Sequence, residues 1–201
     1  MFVKVCGLRT AEDVDAAVAA GADAVGFVFA PSPRLVGQDL ARELAARVPA
    51  SVLTVGVFRR QPLEEVRSLV EASGVRAVQF HGDEPRSFYE AFPGHVLIRA
   101  SGEVVDHGAM GEDLLLLDAP VPGEGVAWEW KAPGHGRKWL LAGGLTPGNV
   151  AEAVRATRPW GVDVSSGVEI SRGVKSPDLI RRFVETAKAA QGVPWTRPGD
   201  A

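Results

Sequence analysis

The chain has 201 residues, of which 46% are hydrophobic and 23% are charged, and its formal net charge is −3. This length allows one large domain with a real core, and the composition is that of a folded globular protein. A slightly acidic chain offers no basic surface to attract nucleic acid or an anionic membrane, so neither is expected as a partner.

Signals for secretion and membrane insertion are lacking. The chain has one cysteine, Cys6, so it cannot form an internal disulfide, and its first residues lack the apolar stretch of a signal peptide. No apolar run approaches the ~20 residues that span a bilayer. The sequence therefore predicts a cytoplasmic protein without a membrane segment.

Eight short runs rich in Val, Leu, Ile and Phe recur along the chain. In chain order they are "FVKVC", "DAVGFVFA", "SVLTVGVF", "RAVQFHG", "HVLIRAS", "DLLLLDA", "KWLLAGG" and "GVDVSSG". Each has the length of a strand, and most are too continuously apolar to keep one face in water. This pattern indicates a parallel sheet that is covered on both sides.

Segments with a helical period and helix start signals lie between these runs. Thr10, followed three positions later by Asp13, has the pattern of a capping box. Helix starts are predicted at Thr10, Pro62, Thr146 and Ser176, and a helix end is predicted at Gly74. The stretch "PVPGEGVAWEWKAPGHG" is rich in Gly and Pro, and it predicts a functional loop instead of a helix.

Eight strand-helix units, at roughly 25 residues each, are at the lower size limit of a (β/α)8 TIM barrel. The rival, an open doubly wound sheet, would carry a G-x-G-x-x-G fingerprint after its first strand, and "CGLRTAED" lacks it. No internal repeat or linker interrupts the chain. We predict an α/β fold with a single barrel domain over residues 1–191, followed by a loosely ordered tail over residues 192–201.

In such a barrel, the chemistry gathers at the rim where the strands end. Polar side chains at these predicted ends are Cys6, Arg34, Arg59, Gln79, His81, Arg99, Ser101 and Asp118. Two glycines, Gly143 and Gly144, separate the seventh strand from a helix that Thr146 is expected to cap, which frees backbone N–H groups for a phosphate. After the eighth strand, Ser165, Ser166 and Gly167 offer hydroxyls and close backbone approach. The alternative is that both segments are tight turns.

Two sets of charged residues indicate a chemical role: Asp118 at the end of the sixth strand, and Lys4 with Asp163 near Cys6. Asp118 ends an apolar strand, where desolvation would raise its pKa and suit a general acid, although a turn cap is the alternative. Lys4 and Cys6 share one face of the first strand, about 7 Å apart. A lysine that points into a barrel needs a partner, and Asp163 on the eighth strand is the expected one. A charged Lys4 would also favour a thiolate at Cys6.

Arginine and histidine give weaker signals. Arg34 is predicted as a free guanidinium suited to a carboxylate, with an exposed surface charge as the alternative. His81 could act as a base or as a structural hydrogen-bonding group. The other histidines, His95, His107 and His135, have no metal-ligand spacing with one another or with Cys6, so no metal site is predicted.

Together these segments resemble phosphoribosylanthranilate isomerase, an enzyme of tryptophan biosynthesis. The ordered motifs that carry the resemblance are "KVCG", "GADAVGFVFAPSPR", "VGVF", "VQFHGDE", "LLLLDA", "LAGGLTPGNV", "VDVSSGVE" and "GVKS". They cover nearly the whole chain, and the ordered set is far more specific than any one motif.

The resemblance implies a (β/α)8 barrel that isomerises N-(5-phosphoribosyl)anthranilate to the open-chain deoxyribulose phosphate by an Amadori rearrangement, without a cofactor. It makes Cys6 the general base, Asp118 the general acid and Arg34 the group that binds the anthranilate carboxylate. Phosphate binding carries over to Gly143, Gly144, Ser166 and Gly167. We add His81, Asp163 and Ser165 as substrate-binding candidates. The expected partner is a small phosphorylated substrate, and the expected assembly is a monomer or homodimer.

Two expectations follow for particular segments. Cys6 should be partly ionised and partly exposed, with Gly7 allowing the chain to turn without covering it. The family usually has a glycine-rich loop ending in Phe-Asp-Trp after the sixth strand, whereas this chain has "PGEGVAWEW" within residues 121–130. The loop after the second strand is also one residue shorter than in many members. These differences bear on substrate affinity and selectivity.

Two other functions compete with this one. A related histidine-pathway sugar-phosphate isomerase, or a dual-specificity enzyme, would use a similar barrel. That family carries aspartate where Cys6 stands and needs two phosphate sites, whereas the present sequence indicates one. A non-catalytic phosphate-binding barrel is the second alternative, but binding alone requires neither Cys6 nor Asp118.

Overall fold

A closed barrel of eight parallel strands lies at the centre of the protein, in a computed structural model that describes residues 1–118, 132 and 138–190. The strands are β1 (Phe2–Cys6), β2 (Ala24–Val28), β3 (Leu53–Phe58), β4 (Ala77–Phe80), β5 (Val96–Ser101), β6 (Leu114–Leu117), β7 (Trp139–Leu141) and β8 (Gly161–Val164). Each pairs with the next, and β8 pairs with β1. The predicted (β/α)8 barrel is confirmed, and every strand lies within its predicted run.

Helices cover the outside of the barrel. Those in the described residues are α1 (Ala11–Ala19), α2 (Gln38–Ala46), α3 (Leu63–Ser73), α4 (Arg86–Glu90), α5 (Val150–Thr157) and α6 (Pro177–Ala190). An antiparallel hairpin of β9 (Glu169–Ser171) and β10 (Val174–Lys175) follows β8. Helices α2 and α4 were not predicted, and α4 is too short to show a helical period. None of the helices in these ranges has the length and apolar character to cross a membrane.

Two predictions fall on other parts of the chain. The predicted functional loop, including residues 121–130, lies within residues 119–137, of which only 132 is described. The predicted tail over residues 192–201 lies wholly outside the described residues, as does the predicted end of the domain at 191.

Local side-chain chemistry sets the helix ends. The Thr10 hydroxyl oxygen accepts a hydrogen bond from the third residue of α1 at 3.1 Å, and the Ser176 hydroxyl oxygen caps α6 in the same way at 3.3 Å. Gly74 ends α3 in the left-handed conformation, at φ +67°. These three predictions are confirmed. Pro62, however, precedes α3 with an extended ψ of 142°, so the helix begins at Leu63, one residue later than predicted.

Successive side chains along each strand point alternately outward, toward the helices, and inward, toward the barrel interior. This alternation separates two apolar layers. On β1, Val3 and Val5 pack against the helices, whereas Cys6 joins a layer of mainly small and branched side chains inside the barrel. Fully burying a Val, Leu or Phe side chain contributes about 1.5–3 kcal/mol, so both layers stabilise the fold. The inner layer fills the barrel and leaves the strand ends free to carry polar groups.

Candidate active site

A cavity of about 310 Å³ opens at the carboxyl ends of the barrel strands. Of the predicted site residues it is lined by Cys6, Arg34, His81, Asp118, Gly143, Gly144, Asp163, Ser165 and Ser166. Gly167 is not among the lining residues and lies one position further along the same loop. This volume falls in the range of small-molecule sites. The fold therefore brings residues from six separate strand ends into one cavity.

Cys6 ends β1 and is buried, with only 7% of the residue exposed, so the prediction of partial exposure is wrong. Burial raises the pKa of the thiol above its ordinary value; the charge of Lys4 opposes this shift but does not reverse it. The predicted partial ionisation in the free protein is wrong for the same reason. Gly7 does adopt a positive φ of 77°, so the chain turns away after Cys6 as expected.

The raised pKa of Cys6 predicts a specific titration. Ultraviolet absorbance of the thiolate, measured against pH with Cys6→Ala as the blank, should show a midpoint above that of the same chain unfolded in denaturant. The unfolded chain is a clean reference because Cys6 is the only thiol. A folded midpoint at or below the unfolded one would show that the charge of Lys4 outweighs burial.

A buried ion pair lies beneath Cys6. The Lys4 ammonium contacts a carboxylate oxygen of Asp163 at 2.9 Å, and Lys4 is fully buried. The two residues are direct partners in the β1–β8 register, so the predicted pairing is confirmed. Burial alone would lower the pKa of Lys4, but the charge of Asp163 and the hydrogen bond to it raise that pKa above its ordinary value. Lys4 thus keeps a positive charge beside the thiol.

Asp118 follows β6 directly and is buried at the cavity wall, with 8% of the residue exposed. The Nε2 atom of His81 lies 3.4 Å from a carboxylate oxygen of Asp118. Burial, together with the charge of Lys4, lowers the pKa of His81, so its imidazole is neutral at neutral pH. The carboxyl group of Asp118 therefore faces the cavity with a neutral imidazole beside it.

An anion cradle follows β7. Gly143 and Gly144 both have positive φ values, of 81° and 65°. Both line the cavity, and within the described residues their N–H groups donate to no protein acceptor. Consecutive backbone N–H groups in such a turn form a concavity that suits an anion.

The helix after this cradle begins later than predicted. The N–H of Thr146 donates to the side-chain oxygen of Asn149 at 2.7 Å, and the Asn149 amide donates back to the carbonyl of Gly144 at 2.9 Å. Asn149 therefore holds a turn closed, and α5 begins only at Val150. The Thr146 hydroxyl oxygen does accept a hydrogen bond from the N–H of Gly148 at 3.2 Å, so Thr146 caps this turn, and only the start of the α-helix differs from the prediction.

The loops after β7 and β8 are in direct contact at Gly167. A Cβ added there would overlap the carbonyl oxygen of Leu145. Gly167→Ala is therefore expected to push the two loops apart, raise KM for a phosphorylated substrate and lower the free energy of unfolding by about 1–3 kcal/mol. Urea denaturation and inhibition by inorganic phosphate would measure both effects.

Gly148→Ala is the matched control for this prediction. Its Cβ would meet only the Thr146 hydroxyl, at 3.6 Å, which is ordinary contact. The control should leave both stability and phosphate inhibition unchanged. If Gly167→Ala also left stability and phosphate inhibition unchanged, the close approach of the two loops would matter neither for folding nor for phosphate binding.

Arg34 is neither free nor exposed. Its side chain is buried, and it donates two parallel hydrogen bonds to Glu169, from Nε at 2.6 Å and from Nη2 at 3.0 Å. Both the prediction of a free guanidinium and the alternative of a surface charge are therefore wrong. Sequence reasoning missed Glu169, which stands 135 positions from Arg34. The available signal was an acidic residue directly inside the motif "VDVSSGVE".

Two further polar groups complete the cavity. The Gln79 side chain is almost fully buried, and its amide oxygen has no hydrogen-bond partner in the described part of the chain. Because Gln79 lines the cavity, that oxygen is an acceptor open to a ligand. Ser165 donates from its hydroxyl to the carbonyl of Cys6 at 3.2 Å. In the ranges given above, His, Cys, Asp and Glu side chains form no cluster of three or more that could hold a metal ion.

Comparison with known proteins gives a consistent result. Residues 3–186 match the family model described as N-(5'phosphoribosyl)anthranilate (PRA) isomerase. The N-(5'-phosphoribosyl)anthranilate isomerase of Dechloromonas aromatica is 44% identical over 205 aligned positions, covering 94% of this chain and 96% of that protein.

Solved structures agree with the sequence match. The crystal structure of TrpF from Jonesia denitrificans superposes with a TM-score of 0.85 at 43% identity, covering 96% of this chain and 98% of that one. A phosphoribosyl anthranilate isomerase solved with reduced 1-(o-carboxyphenylamino)-1-deoxyribulose 5-phosphate superposes with a TM-score of 0.76 at 33% identity, covering 94% and 99%.

Proposed function

Since the chain belongs to the N-(5'-phosphoribosyl)anthranilate isomerase family of tryptophan biosynthesis, we propose that it isomerises its substrate with Cys6 as general base and Asp118 as general acid. The observation that carries this assignment is the placement of both side chains in one cavity, Cys6 at the end of β1 and Asp118 after β6. A thiol and a carboxyl group from different strands line the same cavity. Binding alone would require neither group.

The two ends of the substrate differ in chemistry and fit different walls of the cavity. We assign the phosphate to the backbone N–H groups of Gly143 and Gly144 and to the loop of Ser166 and Gly167. The aromatic carboxylate is assigned to Arg34, whose guanidinium keeps unused N–H groups after pairing with Glu169. This orientation lays the sugar across the barrel mouth, where the acid and the base meet it.

The first chemical step is ring opening. Asp118 donates its proton to the furanose ring oxygen as the bond between that oxygen and the anomeric carbon breaks. The lone pair of the anilino nitrogen forms the new C=N bond, which leaves a cationic Schiff base. Asp118 becomes a carboxylate, and the imidazole of His81 beside it is neutral.

The second step is proton removal from the adjacent sugar carbon. The cationic Schiff base makes that C–H acidic. Cys6 first releases its thiol proton to solvent through the cavity that it lines, and the resulting thiolate then takes the proton from carbon to give an enolamine. Tautomerisation of the enolamine then gives the ketone product. Lys4 supports the thiolate electrostatically, and the positive charge of the Schiff base favours it further at the moment it is needed.

The remaining candidates keep supporting roles in this proposal. Asp163 lines the cavity while it holds Lys4, and Ser165 lines it while it anchors the carbonyl of Cys6. His81 contacts Asp118 from the cavity side. We propose that these three residues contact the sugar hydroxyls. A cytoplasmic location and a monomeric or homodimeric state remain predictions.

The test is turnover of freshly generated phosphoribosylanthranilate, followed by loss of its fluorescence. The purified protein should consume the substrate without added metal or cofactor. Binding without turnover, detected as a stable change in substrate fluorescence, would favour a non-catalytic barrel instead. The variants that assign the two catalytic roles are described in the Discussion.

A further inference from the structure

The carboxylate of Glu169 is held from three sides. Besides Arg34, it accepts a hydrogen bond from the Lys175 ammonium at 2.9 Å and another from the backbone N–H of Gly173 at 3.0 Å. Burial would raise the pKa of Glu169, but these hydrogen bonds lower it to about 2. The carboxylate therefore stays charged at any pH where the protein works, and it cannot rotate without losing several bonds.

The contacts of Lys175 extend this clamp toward the catalytic strand. Its ammonium also donates to the backbone carbonyl of Ser165 at 2.8 Å and lies 3.3 Å from the Ser165 hydroxyl. That hydroxyl in turn donates to the carbonyl of Cys6. A continuous polar chain thus joins Arg34 to the end of β1 through the β9–β10 hairpin.

Backbone packing fixes the hairpin against the loop that carries Arg34. A Cβ added to Gly173 would lie 2.7 Å from the carbonyl oxygen of Pro33, the residue just before Arg34. Gly173 also has a positive φ of 80°, which a side chain would strain. The hairpin and the loop after β2 are therefore in contact through their backbones as well as through the ion pair.

The geometry of the pair leaves one edge of the guanidinium unused. Glu169 occupies the Nε and Nη2 edge of Arg34, so two of the five N–H donors are engaged. The Nη1 and Nη2 edge remains for a second carboxylate, and Arg34 lines the cavity. Two cations, Arg34 and Lys175, face the single negative charge of Glu169, so the cluster keeps a net positive charge.

We infer that Glu169 is a positioning residue for substrate recognition: clamped by Lys175 and Gly173, it fixes Arg34 so that its free edge faces the carboxylate of the substrate. This inference rests on the proposed role of Arg34. Without Glu169 the long side chain of Arg34 regains its rotamer freedom, and the carboxylate of the substrate must order it on binding. We expect the chemistry at Cys6 and Asp118 to change little, because the clamp meets Cys6 at its backbone carbonyl and not at its thiol.

The experiment compares two substrates, phosphoribosylanthranilate and the analogue made from aniline, which lacks the carboxylate. The unmodified protein should prefer the first in kcat/KM. Glu169→Gln should reduce this preference about tenfold or more, through KM for the anthranilate substrate, while its kcat changes little. Glu169→Asp keeps the charge but is one methylene shorter, so it should lose part of the preference.

A variant of Arg34 and a control on the protein surface make the outcomes distinguishable. Arg34→Met should abolish the preference, and combining it with Glu169→Gln should add nothing further. Asp15→Asn breaks another two-bond arginine pair, with Arg47, but on the exposed surface, and it should leave the preference intact.

The results distinguish two claims: that Arg34 binds the carboxylate of the substrate, and that Glu169 positions Arg34. If Arg34→Met kept the preference, the proposed role of Arg34 would fail. If Arg34→Met abolished it but Glu169→Gln lowered kcat/KM equally for both substrates, Glu169 would be only a structural ion-pair partner, and the inference would be overturned. Should Glu169→Gln fail to fold, Glu169→Asp decides by the same ratio.

Discussion

Cys6→Ala is expected to lower kcat by about 10²–10⁴-fold, the usual contribution of a positioned general base, with little change in KM. The variant retains the acid, the phosphate loops and Arg34, so substrate should still bind and the ring should still open. What it lacks is a group to take the proton from the sugar carbon. Fluorescence decay of phosphoribosylanthranilate under saturating conditions measures the loss.

Cys6→Ser separates chemistry from packing. The hydroxyl has nearly the volume of the thiol but ionises far less readily, so it should be as inactive as alanine. Cys6 lies in the inner apolar layer of the barrel, where a smaller side chain could also disturb packing. If Cys6→Ser retained full activity while Cys6→Ala did not, Cys6 would be a packing residue and another group would be the base.

Asp118→Asn should lower kcat by a similar factor, about 10²–10⁴-fold. The amide matches the carboxyl group in shape but cannot give up a proton to the furanose oxygen, so ring opening loses its acid. Because Asp118 is buried at the cavity wall, solvent cannot readily replace it. The same fluorescence assay under saturating substrate measures this variant.

Asp113→Asn is the matched control for Asp118→Asn. Asp113 directly precedes β6, at the opposite end of the strand from Asp118, and its carboxylate accepts a hydrogen bond from the backbone of Leu97 at 2.9 Å. The amide can still accept that bond, so turnover should be unchanged. Equal losses in both variants would point to damage to β6, not to loss of an acid.

The burial of Cys6 has a mechanistic consequence. A raised pKa makes the thiolate scarce in the free enzyme, but once formed it is a stronger base than an ordinary thiolate. The cationic Schiff base that follows ring opening brings a positive charge to the cavity, next to that of Lys4. We therefore expect the thiol to ionise mainly after substrate has bound and opened.

Local patterns were enough to predict the barrel and its rim. Each apolar run is set by residues a few positions apart, so strand positions could be derived without knowledge of distant contacts. The Lys4–Asp163 pair is the clearest case. Strand parity placed Lys4 inside the barrel, and closure of β8 onto β1 left Asp163 as its neighbour, as the register confirms.

Contacts between distant loops could not be predicted in this way. Arg34 and Glu169 meet only because the β2 loop and the β9–β10 hairpin fold over the same part of the rim. The burial of Cys6 likewise depends on neighbouring strands and loops. The late start of α5 at Val150 was missed as well, because it depends on the turn that Asn149 closes with Thr146 and Gly144.

The central claim, that the Cys6 thiol is the base, is tested most directly by alkylating it. Cys6 is the only cysteine, so iodoacetamide labels one known atom and mass spectrometry counts the labelled fraction. Activity should fall in strict proportion to that fraction, and bound product should slow both changes equally. Protein that is fully alkylated and still converts phosphoribosylanthranilate at the unmodified rate would contradict the claim.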